Sequence, residues 1–310
     1  MTRRTLFRLI TGTALLAGLR GRARGAPTAL SWSETIRAGI SEERRYRADA
    51  QVVILSIPLL HRAGVGGGRV GWRETDSNGA SLRLLEFLGY SDPKRAAGLN
   101  RLGFIRELVR VSDNHVSEAL YFGLMTSSPE ESAEDARKAL HPTASEVTYS
   151  AIEGRMAPGN ATTAGAHFMA SAKLSASQSG ELEGLARQAL TSAAVKAPEF
   201  DPHRAVSPFL ETMAELLSAP HRDEGRYVYG GRLYRLWLHR APDPKATEYF
   251  RERHMAAGNI IRVAGKLRRE AGGKEWEFRL WAEEGAARPI PLRIEYQPKS
   301  YLRLTFEAEG

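Results

Sequence analysis

Apolar and polar side chains alternate at a period of two along most of this chain, which is the mark of strands with one packed and one wet face. Tyr46, Ala48, Ala50, Val52 and Ile54 alternate with Arg45, Arg47, Asp49 and Gln51. Residues 81–88 and 104–111 are further strands, the second turning through Ser112-Asp113-Asn114-His115 into a partner over 116–125. Between them Asp92-Pro93 reads as a cap and first-turn proline, enough for one helical turn. The clearest alternation lies in 221–310. Tyr227-Val228-Tyr229 and 233–238 flank a Gly230-Gly231 turn, and 260–267 pairs with 276–280 across Ala271-Gly272-Gly273-Lys274. Ile290, Leu292, Ile294 and Tyr296, then Leu302, Leu304 and Phe306, close the series.

Three segments switch to helical spacing. Ser128-Pro129-Glu130-Glu131 is a capping box with proline at the first helical position. Its acids (Glu130, Glu131, Glu134, Asp135) come early and its bases (Arg137, Lys138) late, as the helix dipole favours. A second helix over 179–195 places Leu182, Leu185, Ala189 and Ala193 on one face. A third opens at Ser207-Pro208, carries Phe209, Leu210, Met213, Leu216 and Leu217, and stops at Pro220. The expected fold class is α+β, mainly β: curved antiparallel sheets, open and half-barrel-like, with amphipathic helices packed on the concave side.

The first 26 residues follow another plan. Thr2-Arg3-Arg4-Thr5-Leu6-Phe7-Arg8 precedes an apolar stretch, Leu9 to Leu19, which is 11 residues long and well short of the roughly 20 that span a bilayer. A basic tail with Arg20, Arg22 and Arg24 follows. This segment resembles a twin-arginine signal peptide, with Arg3 and Arg4 as the recognised pair and cleavage after Gly25, where Ala23 and Gly25 fill the small-residue positions. It departs from the family pattern in having Leu6 where phenylalanine is commonest. The resemblance implies export of a folded chain by the twin-arginine machinery, and a periplasmic or extracellular location. The expected organisation is a signal peptide over 1–26, a leader segment over 27–45, a β-rich region with three helices over 46–220, and an antiparallel region over 221–310. The last two are either separate or one continuous domain.

That leader changes the meaning of the charge. The chain carries 44 basic and 36 acidic side chains, formally +8. Six of the arginines and none of the acids fall in 1–26, so removal leaves 38 against 36, or +2. A nucleic-acid partner, which the basic balance would otherwise suggest, is therefore not expected. The chain has no cysteine, which excludes disulfides, thiolate metal sites, a cysteine nucleophile and a lipid anchor on cysteine. No second apolar run has membrane-spanning length, so no span is expected in the mature chain.

The closing stretch Trp281…Ile290-Pro291-Leu292-Arg293-Ile294-Glu295-Tyr296…Leu302-Arg303-Leu304 resembles an uncharacterised family of bacterial envelope proteins. In that family a tryptophan-bearing strand, a proline-led strand and a last strand close the sheet. The arrangement of helix across curved sheet is similar to the half-barrel of periplasmic lipoprotein carriers. These resemblances imply an envelope location and a β-rich fold, and no catalytic residue comes with them. Leu60-His61-Arg62-Ala63 also recurs as Leu238-His239-Arg240-Ala241, each time expected to close a strand; two related half-sheets or coincidence would both explain it.

Reactive motifs are weak. Gly66-x-Gly68-x-x-Gly71 has dinucleotide-binding spacing, yet Arg69-Val70-Gly71-Trp72 continues as strand or loop where that motif needs a helix. Ser91-x-x-Lys94 straddles a proline and lacks the helical turn that would align the pair. The eight histidines are scattered singly, without metal-ligand spacing, and the acids at 130–135 are accounted for by capping. No metal, cofactor or catalytic residue is expected. Aromatic side chains remain: Trp237, Trp276, Phe278, Tyr296 and Phe306 lie on the closing strands and are the candidate ligand-binding residues, for a lipid or other apolar small molecule. The core reading of the same residues stands beside this one. Trp281 has the opposite parity to Trp276 and Phe278, which predicts an exposed or rim tryptophan. The expected function is non-catalytic binding of an apolar ligand or envelope partner. The alternatives are an exported hydrolase whose site assembles only in three dimensions, and a structural envelope module.

Overall fold

The computed structural model describes residues 30–32, 39–54, 57–77, 80–96, 101–112, 115–126, 146–174, 176–197, 206–299 and 302–310. The leader with Arg3, Arg4, Ala23 and Gly25, and the helix expected from Ser128, lie outside them. Among the described residues fourteen strands form one antiparallel sheet. In chain order they are β1 (Ile40–Ile54), β2 (Ile57–Ser77), β3 (Ala80–Ser91), β4 (Leu102–Ser112), β5 (His115–Met125), β6 (Glu146–Ala157), β7 (Asn160–Ser171), β8 (Val195–Lys196), β9 (Glu224–Tyr229), β10 (Arg232–Pro242), β11 (Ile260–Arg269), β12 (Glu275–Glu283), β13 (Arg293–Lys299) and β14 (Leu302–Ala308). The order across the sheet is β8-β7-β6-β5-β4-β3-β2-β1-β14-β13-β12-β11-β10-β9. The chain therefore zigzags outward to one edge, crosses to the far edge, and zigzags back until β14 pairs with β1 (Tyr46↔Ala308, Ala48↔Phe306).

Register puts one row of side chains on a shared face across the whole sheet. Trp72 lies opposite Leu85, Leu85 opposite Glu107, Glu107 opposite Tyr121, and Tyr121 opposite Gly154. On the other half Phe306 lies opposite Ile294, Ile294 opposite Leu280, and Leu280 opposite Val263. This face is concave, because residues from distant strands meet across it: a Cβ added at Gly123 of β5 would stand 2.9 Å from the Tyr229 hydroxyl of β9. The edges come close without joining, and a Cβ added at Gly231 would stand 3.2 Å from Lys196 Cβ.

Glycines and bulges make the curvature. A Cβ on Gly154 would lie 2.1–2.5 Å from the Tyr121 ring, and one on Gly265 2.0–2.5 Å from the Phe278 ring. Aromatic rings thus lie flat over neighbouring backbone, the pairing that lets a sheet bend inward without a void. The Gly66–Gly71 pattern belongs to this device, being the middle of β2 rather than a helix-opening loop. Beside it Ala48↔Gly66 and Ala50↔Arg62 bracket a bulge at Gly64, which takes φ 62°. Gly230 and Gly231, at φ 58° and 71°, make the expected β9–β10 hairpin turn. Leu60–Ala63 sits inside the long β2 instead of closing a strand, so its likeness to Leu238–Ala241 does not mark equivalent positions. Asp92 does open a turn, with the Arg95 and Ala96 amides donating to its carbonyl.

Three α-helices lie among the described residues: α1 (Ser179–Leu190), α2 (Phe209–Ser218) and α3 (Pro244–Glu252). Helix α2 occupies the concave side, reaching β3, β4 and β9. Helix α1 ends at Leu190, short of the expected 195, and lays Leu182, Ala186 and Leu190 on Phe104, Phe122, Tyr149 and Ala151, whose parity is that of the other face. Helix α3 was not anticipated. Asp243 caps it by accepting from the Ala246 amide at 3.0 Å, with Pro244 in the first turn. This helix overturns the expectation for Trp281: the indole lies on the outer face but is 7% exposed, packed under Ala246 and Phe250. Its N–H donates to Asp243 at 2.9 Å.

Candidate functional site

The concave face carries an aromatic wall and one helix lying on it. Tyr227 stacks on Tyr234 at 5.0 Å and 8°, Phe209 tilts onto Tyr227 at 5.0 Å, and Trp276 stands 6.5 Å from Tyr234. Met213 and Leu216 of α2 pack into this group beside Leu236, Leu238, Val263 and Leu280. Of the five aromatics singled out above, Trp276, Phe278, Tyr296 and Phe306 have the inward parity. Trp276 and Phe278 join the wall under α2, while Phe306 packs with Tyr46 and Ala48 and edge-on to Phe87 at 6.1 Å. Trp237 has the outward parity, since its neighbours Leu236 and Leu238 point in, and the Arg268 guanidinium lies 5.7 Å from its ring.

Charged side chains hold that helix at both ends. At its N-terminus Glu107, from the floor of β4, accepts the Leu210 amide at 2.8 Å and the Glu211 amide at 2.9 Å. These are amides that a helix leaves without internal partners, and a carboxylate there also meets the positive end of the dipole. At the C-terminus Arg240 of β10 donates to the carbonyls of Leu216 at 2.5 Å, Arg222 at 3.0 Å and Ala219 at 3.4 Å. Its other terminal nitrogen binds the exposed Asp223. Opposite charges from the two halves of the sheet thus grip one helix.

Beside Glu107 lies a second buried carboxylate. Glu211, 1% exposed, accepts from Arg83 Nη1 at 2.5 Å. Arg83 also donates to Glu74 at 2.9 Å, and Glu74 accepts the Trp72 indole N–H at 3.1 Å and the Ser81 hydroxyl at 2.9 Å. Burial pushes both carboxyls up, Glu107 against the helix amides that oppose it and Glu211 to about 7 despite Arg83. Glu74 goes the other way: burial opposes its ionisation, but the bonds and charge of Arg83 outweigh that and hold it below its ordinary value. Paired carboxyls of this kind suit acid–base chemistry only where a substrate can reach them. Glu107 and Glu211 are each 1% exposed, so the arrangement serves helix docking.

None of Glu107, Glu211, Arg83 and Arg240 was identified from the sequence. Glu107 does fall on the apolar parity of its strand, between Ile105 and Val109, which is a readable cue for a buried charge. Its partners, 103 and 104 residues away, are not readable. Among the described residues no group of three or more histidine, aspartate or glutamate side chains could hold a metal. Cavities of about 740 and 330 Å3 lie away from the wall, one beside α3 (Asp243, Thr247, Arg251, Glu284) and one at Arg222 to Arg226. No described helix is long and apolar enough to cross a membrane.

The sequence matches no protein-family model and no curated protein. It is similar in structure to a crystal structure described as a beta-barrel-like protein of domain of unknown function DUF1849 from Brucella abortus. That likeness has a TM-score of 0.46 and 7% identity, and covers 89% of this chain and 98% of that one. No residue role follows from it. What the chain itself presents is a cysteine-free, β-rich, half-barrel-like protein with an aromatic concave face.

Proposed function

We propose that the protein is exported and binds an apolar ligand on its concave aromatic wall, without catalysis. The observation that carries this reading is the continuous group of Tyr227, Tyr234, Trp276 and Phe278, on which Phe209, Met213 and Leu216 of α2 pack. Aromatic and aliphatic walls of this kind suit an acyl chain or a similar hydrocarbon. The leader pattern around Arg3 and Arg4 supports export.

Two measurements test it. Native mass spectrometry of protein purified from the periplasm should show a co-purifying apolar molecule, and titration with a fluorescent fatty acid should quench Trp276. Absence of both sinks the binding reading. Substituting Arg3 and Arg4 by lysine should hold the protein in the cytoplasm; unchanged export removes that half of the proposal. A second reading, a structural envelope module, is favoured by one observation: Met213 and Leu216 already fill the wall.

A further inference from the structure

Around the first turn of α2 the charges do not balance. Glu211 faces Arg83 of β3, Glu74 of β2 and Glu107 of β4, with Glu215 one turn along its own helix. Arg288 reaches the far oxygen of Glu74 at 3.9 Å and Glu42 at 4.0 Å, and Arg222 pairs with Glu215 at 3.4 Å. The guanidinium that touches Glu211 is already shared with Glu74. Glu107 is complete as an anion, each oxygen accepting one helix amide. Glu211 is not complete: Oε1 meets Arg83, while Oε2 is buried with no hydrogen-bond partner.

A buried carboxylate oxygen that no donor reaches keeps the full cost of its lost hydration. Three carboxylates around one shared guanidinium add repulsion to that cost. Binding one proton removes the repulsion and replaces a buried charge by a neutral hydroxyl, whose burial costs far less, and the oxygen not already engaged by a donor is Glu211 Oε2.

We propose that Glu211 is the proton-binding site of this fold, taking up one proton at Oε2 as helix α2 docks on the concave face. Burial raises Glu107 as well, but both of its oxygens already accept a helix amide and a proton there would displace one of those bonds, so the geometry places the proton on Glu211. Docking of α2, and with it the coverage of the aromatic wall, is then linked to pH. The sign follows from linkage: a group that binds its proton more tightly in the folded protein stabilises it at low pH, and that contribution is lost as pH rises. Burial pushes Glu211 up to about 7, against about 4.3 in an unfolded chain, so the loss spans roughly pH 5 to 7. One proton changes the folding equilibrium by close to tenfold per pH unit there, at about that limit.

The test compares the full chain with Glu211→Gln, which keeps the shape and removes the charge. Chemical-denaturation midpoints should fall for the wild type from pH 5 to about 7, by up to about tenfold in folding constant per unit, and level off towards pH 8.5. The variant should show a shallower fall and exceed the wild type at pH 8. An unchanged slope, or a variant weaker than the wild type at pH 8, overturns the proposal. Infrared difference spectra do not depend on how the variant refolds. A protonated-carboxyl stretch should be present in the wild type at pH 6, lost by pH 8.5, and retained in Glu107→Gln. Its absence at pH 6, or its loss in Glu107→Gln alone, places the proton elsewhere and ends the assignment.

Discussion

Glu107 and Arg240 hold opposite ends of the same helix, the carboxylate on the amides of Leu210 and Glu211 and the guanidinium on the carbonyl of Leu216. One comes from β4 and the other from β10, far apart in strand order, so α2 acts as a strut across the bend of the sheet. Glu107→Ala strands two buried amides, and a loss of about 2–4 kcal/mol is expected; Glu107→Gln keeps one acceptor and should lose less. Arg240→Ala should cost about 1–3 kcal/mol through the carbonyls, with little from the exposed Asp223 pair. The helix is roughly 15 Å long, so the two losses should add in a double variant. Urea midpoints for the four proteins check this.

The rings that lie over glycines predict an order of sensitivity. Alanine at Gly265 pushes on Phe278, a partly exposed ring with some freedom, and should cost about 1–3 kcal/mol. Alanine at Gly154 meets Tyr121, which is 2% exposed and tied to the Thr163 hydroxyl, and should cost more. Phe278→Leu should restore part of the loss in Gly265→Ala. Equal melting temperatures for the two glycine variants would contradict the packing described here.

Asp243 serves two partners at once, the Ala246 amide and the Trp281 indole. Trp281→Phe removes one hydrogen bond and should cost about 1 kcal/mol, whereas Trp281→Ala opens the space under α3 and should cost about 3–5 kcal/mol. Asp243→Ala loses the cap and leaves the indole N–H unmet, for about 2 kcal/mol. Thermal unfolding of the three variants ranks them.

Leu30 is fully buried among Leu108 and Leu120, with its amide shared by both oxygens of Glu118 at 3.0 Å and its carbonyl bound by Arg155 at 2.6 Å. Trp32 donates to Glu153 at 2.8 Å. Leu30→Ala should cost about 2–4 kcal/mol, and Glu118→Ala should release this segment. Limited proteolysis followed by mass measurement should then show cleavage near residue 32 in the variants well before the wild type.

Stability should also fall in acid, for reasons separate from Glu211. Glu74 and Glu270 are held below their ordinary values because their arginine partners overcome the effect of burial, and Asp243 likewise through the Ala246 amide and the Trp281 indole. Groups lowered in this way add stability above their unfolded values, about pH 4, and lose it as pH falls through the folded ones. Denaturation midpoints should therefore drop below about pH 4, and Glu270→Gln should shallow that drop.

What the sequence determined by itself was the strand content and its faces. Tyr46 to Ile54, Ile294 to Tyr296 and Leu302 to Phe306 alternate as antiparallel strands do, although Ile290 and Leu292, expected in the same strand, precede β13, which begins at Arg293, and the β9–β10 turn needs the left-handed conformations that Gly230 and Gly231 supply. Phe209, Met213 and Leu216 likewise marked the helix that covers the concave side. Tertiary structure decided the rest, because contacts between distant strands leave no local pattern. The pairing of β1 with β14 joins Ala48 to Phe306 across 258 residues of chain, and no periodicity records a partner so remote. Trp281 has the parity of an exposed residue and is buried because α3 packs over it. Glu107 and Glu211 read as strand and helix charges, and became a coupled buried pair only when the sheet curved enough to bring β4 under the end of α2.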